Sequence, residues 1–515
     1  MKSFRDAIDA HAAGDPDTPF LLAPETGAVM TYGELARTAR SLGAWLASEG
    51  IAPGSVVSFM LPNGLSAASI LLGAMYGGYV VSPLNLLAQD AQLAYVLAHS
   101  GTRLVFCAPE FVERLRRLGK GARVDPKLCP TDPDRLDLPA PPADEATEIG
   151  PATPAMLMYT SGTTGEPKGV LLSHWNMIYA GRTVADAQAL TPDDRVLSSL
   201  PLYHINGQCI AVVAPLVSGG SIVMPHRFSA SQWWPLVERY RPTWLNLVPT
   251  IIAYLLAGPE LTPGEAQAAR GVRFARAASA PLPPEQHRAF ESRFGISVME
   301  AMGLTESASI AFANPLDPRK RRYGSAGRPL GVKARVVAPA RSVLGVGAQG
   351  EIELRGESVM SGYYKAPELT ARTLSPDGWL ATGDLGYRDE DGFYFITGRL
   401  KELIIKGGEN IAPREIDEAL LAHPAVLEAA AVGIPDELYG QDILACVVLK
   451  PGARCDAAEL RAHCHTQLGR YKTPREFRLV AALPKGPSGK VQRLKLLEMR
   501  AAADGGGADG GRVGA

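Results

Sequence analysis

Between residues 30 and 260 the chain alternates short apolar runs with stretches of helical period. Ala155–Tyr159 is an apolar run that stops at a Ser/Gly/Thr segment, the pattern of a buried strand feeding a loop. Ser173 then opens a helix to about Gln188. Arg195–Leu200, Ser221–Met224 and Trp244–Val248 are predicted strands. Gly207–Val217 is predicted as a buried helix, and Ser229–Tyr240 as a helix capped by Ser229 or Ser231. Such alternation predicts an α/β fold with mostly parallel sheets. Past residue 320 the pattern changes. Glu351–Arg355 and Trp379–Thr397 suggest strands and hairpins, with Asp391-Gly392 as a turn. A compact α+β pattern follows: a helix near Arg414–Ala422, strands near Leu427–Ile434 and Ile443–Leu449, and a helix near Asp456–Leu468.

These patterns predict a large α/β N-terminal domain over 1–399 and a small α+β domain over 400–500. Residues 501–515, rich in Gly, Ala and Asp, are expected to be disordered. Residues 130–150, rich in Pro and Asp, are expected to form an exposed loop. Across 515 residues, 52 Lys and Arg against 53 Asp and Glu leave a net charge of -1, which removes the electrostatic case for nucleic-acid binding. No apolar run is long enough to cross a membrane, and no signal-peptide core opens the chain. The six cysteines form no CxxC pair and predict reduced thiols in a cytoplasmic protein. His463-Cys464-His465 lacks the spacing of a zinc site.

The segment Tyr159–Val170, YTSGTTGEPKGV, carries the most specific chemistry. Ser161, Thr163 and Thr164 supply hydroxyl donors beside Thr160. Gly162, Gly165 and Gly169 permit positive φ and close backbone approach. Lys168 adds a cation. Such a loop after a strand can wrap a polyphosphate. It is not a Walker A loop, since GxxxxGK[ST] is absent.

This loop resembles the signature of the adenylate-forming superfamily, which includes acyl-CoA synthetases, peptide-synthetase adenylation domains and beetle luciferases. Six more segments resemble the family's motifs in the same order: LPLYHING (200–207), MGLTES (302–307), GSAGRP (324–329), WLATGDLGY (379–387), ITGRLKELIIKGGENIAPREID (396–417) and PKGPSGK (484–490). The resemblance implies an ATP-, Mg²⁺- and coenzyme A-dependent ligase that forms an acyl-adenylate and then a thioester. It implies that Thr305 contacts the α-phosphate, that Glu306 ligates Mg²⁺, and that Asp384 accepts the ribose hydroxyls. It further implies that Arg399 reaches ribose or phosphate, that Lys490 drives adenylation, and that Lys401 is the hinge on which the small domain is mobile. Gly407 and Gly408 would line the pantetheine tunnel, and His204 would gate the acyl pocket. Ser279, Ala280 and Gly303 fall beside the nucleotide. Met302 stands where the family commonly has a tyrosine that stacks on adenine, so weaker stacking is expected there.

Tyr203-His204-Ile205-Asn206 lacks the aspartate of amino-acid-activating relatives, and no carrier domain follows, so free coenzyme A is the expected acceptor. Asn206, Asn246 and Ser279 make the expected acyl pocket polar, with Arg276 near its entrance. RFARAASAPL (273–282) and PKGPSGKVQR resemble the oxalyl-CoA synthetase-like branch. These points favour a small polar or dianionic acid, a dicarboxylate or a sulfoacetate-like one. The alternatives are an aromatic or medium-chain acid, loading of a separate carrier protein, and a non-catalytic binding descendant. A small-molecule acid is the expected partner, and monomer and homodimer are both open.

Overall fold

The computed structural model describes residues 1–139, 147–160, 166–485 and 491–505. Contacts divide the chain into two units. One gathers Met1–Arg335, Glu353–Thr382 and Asp389–Tyr394; the other gathers Val336–Ile352, Gly383–Arg388 and Phe395–Ala515.

The first unit is an α/β body with two large sheets. In the nine-stranded sheet the order is Arg328–Pro329, Phe312–Ala313, Val298–Met302, Phe274–Ala277, Trp244–Leu247, Arg195–Leu197, Ser221–Val223, Pro19–Leu22 and Val29–Thr31. The six strands from Val298–Met302 to Pro19–Leu22 are parallel. The seven-stranded sheet runs Gly362–Tyr363, Lys168–Ser173, Pro154–Thr160, Val80–Pro83, Val56–Met60, Leu104–Cys107 and Lys127–Pro130. The predicted strands are present, with Arg195–Leu197 ending three residues early.

Helix Leu65–Tyr76 is apolar or small all round, and every one of its residues is buried. That pattern suits a helix enclosed within a body rather than one lying on its surface. Its start is fixed by side chains. Leu65 N–H donates to Asp134 Oδ1 at 3.1 Å, and a Cβ on Gly64 would fall 2.6 Å from Pro133 O. Just before it, Asn63 brackets another segment: its Nδ2 donates to Leu200 O at 3.0 Å and its Oδ1 accepts from Leu202 N–H at 3.0 Å. Asp134 also accepts from Thr26 Oγ1 and His226 Nε2. The exposed loop expected over 130–150 holds at Pro130, Asp132, Arg135, Asp137 and Pro139, but Thr131 is buried and the Asp134 side chain is only 3% exposed. Polar composition misled there because the carboxylate is consumed as a helix cap. Residues 140–146 lie outside the described residues.

Helix His174–Ala187 starts at Ser173, which shares a capping box with Asn176. The segment predicted as one helix over 207–217 is a π-helix over Asn206–Val213 followed by an α-helix over Ala214–Ser218. Helix Ala230–Tyr240 has neither predicted serine as a side-chain cap, because Ser229 Oγ and Ser231 Oγ bond each other at 3.2 Å.

The second unit holds a small sheet in the order Glu409–Ile411, Ile404–Lys406, Gly440–Leu449 and Val426–Asp436, with Glu476–Leu479 also paired to Gly440–Leu449. Helices Pro413–Leu421 and Ala457–Lys472 cover it through Ile416, Leu420, Leu460 and Cys464. The latter helix breaks at Gly469 (φ 73°). Arg493 is anchored to Asp417, to Glu402 at 3.3 Å and to Ala431 O at 2.9 Å. Removing one partner of a buried pair leaves an uncompensated charge. Asp417→Ala should cost about 3–5 kcal/mol, read as a lowered midpoint in denaturant unfolding of the full chain.

Candidate active site

Strands Pro154–Thr160 and Lys168–Ser173 pair antiparallel, with Thr160 opposite Lys168. The strands that flank the phosphate-type segment therefore face each other up to its two ends. Ser161, Gly162, Thr163, Thr164 and Gly165 lie outside the described residues. Lys168 Nζ lies 5.4 Å from the centre of the Tyr363 ring, a cation–π distance. Gly169 does not adopt positive φ; it sits in the strand, where a Cβ would come within 2.9 Å of Leu157 Cδ1. Close packing, not turn geometry, requires that glycine.

Met302 ends strand Val298–Met302, and its side chain is half-buried. Gly303 is demanded sterically, because a Cβ there would lie 2.1 Å from Ser309 O. The chain doubles back so tightly that Ala308 and Ser309 take positive φ. At the head of this loop a 3₁₀ turn, Thr305–Ser307, presents Thr305 and Glu306. Tyr363 O–H donates to Glu306 Oε1 at 2.9 Å, and Met360 N–H donates to Glu306 O at 2.8 Å. Burial and the neighbouring Glu306 raise the Tyr363 pKa, so the phenol stays protonated and keeps donating. Sequence reasoning missed Tyr363, because it lies 57 residues from Glu306 and outside every motif. Glu306 offers Mg²⁺ a hard anionic oxygen, and the ion fits that donor chemistry.

Asn206, Asn246, Arg276 and Ser279 converge. Asn246 and Arg276 occupy paired positions on adjacent parallel strands, so they share one face of the sheet. Asn206, at the start of the π-helix, stands against them as a hub. Its Nδ2 donates to Ser279 Oγ at 3.0 Å, while its Oδ1 accepts from Asn246 Nδ2 at 3.3 Å and Arg276 Nη1 at 3.5 Å. Asn246 Nδ2 also reaches Ser198 Oγ at 3.4 Å. Ser279 holds φ at 73°, a strained value for a residue with a Cβ. Asn206 N–H donates to His204 Nδ1 at 3.3 Å, which orients that ring beside the cluster. Ala280 follows Ser279 in the same loop.

Arg276 is not near an entrance, as the sequence reading had it; it is 1% exposed in the middle of the sheet. No carboxylate among the described residues pairs with it. Arg276 Nε and Asn246 Oδ1 have no hydrogen-bond partner among the described residues. Burial pulls the guanidinium pKa down to about 10, so Arg276 remains a cation at neutral pH. Position in the chain gave no sign of depth, because strand Phe274–Ala277 is buried at all four residues including this one.

In the second unit Asp384 is buried, and its Oδ1 accepts from Arg399 Nε at 2.7 Å. Asp384, expected at the ribose, and Arg399, expected at ribose or phosphate, are thus joined by one ion pair. Lys401 lies in a turn closed by Glu402 N–H to Arg399 O at 3.0 Å. Gly407 and Gly408 form the two-residue turn between strands Ile404–Lys406 and Glu409–Ile411, both with positive φ. Lys490 lies outside the described residues, but its flanks are fixed. Lys485 and Val491 form a bridge, Lys485 pairs with Glu428 at 2.6 Å, and Arg493 is anchored as described above.

A model of the AMP-binding enzyme family matches residues 8–364, and one of the AMP-binding enzyme C-terminal domain matches residues 415–490. The chain is 58% identical to the sulfoacetate–CoA ligase of Cupriavidus necator, over 95% of this chain and 96% of that one. It is 32% identical to the oxalate–CoA ligase of Arabidopsis thaliana, over 86% and 88% of the two chains. Among solved structures, ATP-bound MatB from Rhodopseudomonas palustris superposes with a TM-score of 0.88 at 31% identity, covering 96% of this chain and 98% of that one.

A buried charge without a partner weakens a fold, and apolar replacement of buried ionic groups commonly strengthens one. Arg276→Met should raise unfolding stability by on the order of 1–4 kcal/mol, read by urea denaturation in a buffer of low anion content. A stability loss would show that Arg276 is compensated within the protein.

Proposed function

Because the chain belongs to the AMP-binding enzyme family and is an AMP-forming acid–CoA ligase that uses ATP, CoA and Mg²⁺, we propose that its acid is sulfoacetate and that Arg276 receives the sulfonate. The observation that carries this reading is the buried Arg276 cation set among neutral amides and hydroxyls. A monoanionic acid spends its one charge at the reacting carboxylate, so a second anionic group is needed to answer Arg276. A sulfonate remains ionised throughout the physiological range and offers three acceptor oxygens. Donors suited to them stand together: the Arg276 guanidinium, the Asn206 and Asn246 amides, and the Ser279 hydroxyl. The 58% identity to a sulfoacetate–CoA ligase supports the same acid. Oxalate, the acid named for the 32% relative, is the second reading.

In the first half-reaction an acid carboxylate oxygen attacks the ATP α-phosphorus. A new P–O bond forms as the bond to pyrophosphate breaks. An anion meets a polyanion, so cations and donors aimed at the developing charge dominate catalysis. Lys168, with Thr160 and the hydroxyls and amides of 161–165, holds the β- and γ-phosphates in this reading. Thr305 donates to the α-phosphate, and Glu306, oriented by Tyr363, holds the metal. Mg²⁺ would supply charge neutralisation on the phosphates. Lys490 bridges the attacking carboxylate and the phosphate oxygen. Asp384, steadied by Arg399, accepts the ribose hydroxyls, and Met302 lies along the adenine. In the second half-reaction the CoA thiol, giving up its proton to solvent, attacks the acyl carbon; a C–S bond forms, the acyl C–O bond breaks, and AMP leaves. His204 separates acid from thiol, Gly407 and Gly408 leave room for the pantetheine arm, and Lys401 is the pivot between the two steps. Use of ATP and CoA, together with six free cysteines, supports a cytoplasmic location.

AMP release measured with ATP, Mg²⁺ and CoA across sulfoacetate, oxalate, malonate, benzoate, acetate and hexanoate tests the acid. Sulfoacetate should exceed acetate in kcat/KM by on the order of 10²–10³-fold, and Arg276→Gln should erase most of that gap. Equal use of acetate and sulfoacetate would sink the assignment. Lys490→Ala should lose about 10²–10³ in the adenylation rate yet still convert supplied acyl-adenylate and CoA to thioester. Equal loss of both half-reactions would remove Lys490 from its proposed place.

A further inference from the structure

Arg276 also poses a question of charge balance when no acid is bound. On its face of the sheet its strand neighbours are Asn246 on one side and Met299 on the other, and Asn206 lies against it. All three are neutral. The adjoining strand carries a carboxylate, Glu300, but Glu300 pairs with Ala277, whose side chain lies on the opposite face. Glu300 Oε1 there accepts Leu282 N–H at 3.1 Å. Backbone carbonyls and amide dipoles soften an isolated cation without neutralising it, and an ion removed from water without a counter-charge is strongly unfavourable. At neutral pH the guanidinium does not escape by losing its proton. Among the described residues no acid answers that charge, which points to a solute as its counter-ion.

We propose that between turnovers the Arg276 subsite holds an inorganic oxyanion of the sulfate class, and that acid binding is an anion exchange. The inference rests on the reading of Arg276 as the receiver of a substrate's second charge. Sulfate and sulfite share the sulfur-centred, multiply oxygenated head of a sulfonate, so the same guanidinium and the amides of Asn206 and Asn246 serve both. They lack a carboxylate, so they occupy the subsite without reacting. Inorganic sulfate then raises the acid concentration needed for turnover while leaving the saturated rate unchanged. The enzyme slows where sulfate or sulfite accumulates and recovers as the organic acid rises.

The test uses full-length enzyme in a buffer free of sulfonate groups, with ionic strength held by potassium glutamate. Initial rates of AMP release are measured against acid concentration at saturating ATP, Mg²⁺ and CoA, with potassium sulfate or potassium chloride added. The expected result is competition with the acid: KM for the acid doubles at a sulfate concentration equal to its dissociation constant, with kcat unchanged. Sulfate should also raise the melting temperature of the wild type and leave that of Arg276→Gln unmoved. Unchanged KM at every sulfate concentration would overturn the proposal. So would competition with ATP alone, which places the ion at the phosphate loop, or an equal melting shift in wild type and variant. A chloride effect stronger than that of sulfate would overturn the oxyanion assignment. If a different dianionic acid proves to be the substrate, the sulfoacetate reading fails on the acid panel, while the melting comparison still decides the anion proposal by itself.

Discussion

A guanidinium in the middle of a parallel sheet, with no acid among the described residues to answer it, is the constraint around which the cluster of Asn206, Asn246 and Ser279 is arranged. Arg276 takes its position from the strand Phe274–Ala277, whose hydrogen bonds to both neighbours leave it little freedom. The groups around it are neutral, and its polar neighbours come from different elements: Asn246 from a strand and Asn206 from a π-helix, with Ser279, from a strained loop, bonded to Asn206. A carboxylate in that ring would have stabilised the fold and closed the site to anions. Leaving that charge unanswered among the described residues trades stability for an electrostatic requirement that a charged ligand would meet in the proposed function.

The residues proposed to serve the nucleotide obey a different logic. Glu306 is offered by a loop so tight that Gly303 admits no Cβ, and it is oriented by a phenol from a distant strand. Asp384 and Arg399 arrive on separate strands and restrain each other in the second unit. These groups are prepared by contacts within each unit before any ligand arrives. Such preorganisation favours electrostatic catalysis, because the dipoles need not reorient during the reaction.

Much of this was legible in the sequence. Alternating apolar runs gave the parallel sheets, and the ordered motifs gave the family and the residues worth watching. Asn206, Asn246, Arg276 and Ser279 were named together and do meet. What escaped was depth and partnership. A four-residue apolar strand containing one arginine does not announce that the arginine is enclosed, since long side chains usually bring their charge out to water. Tyr363 was invisible because its link to Glu306 spans 57 residues. Asp134 looked like a loop acid because composition does not reveal which helix end a carboxylate will cap. The helix expected near 207 was right in being helical and buried, and wrong in pitch, because apolar periodicity does not separate α from π over eight residues.

That pitch has an evolutionary consequence. A π-helix carries more residues per turn than an α-helix, and is commonly an α-helix that has gained one residue. Asn206 begins the π segment, and Val213 ends it where Ala214–Ser218 continues as α-helix. Losing a single codon in between would let the segment rewind as α-helix. Each residue removed turns what precedes it by roughly 100° about the axis, which would swing Asn206 away from Asn246 and Arg276. The placing of Asn206 against Asn246 and Arg276 therefore rests on the residue count of one short helix. A one-residue deletion or insertion in that segment would act on the Asn206 contacts before it touched either sheet.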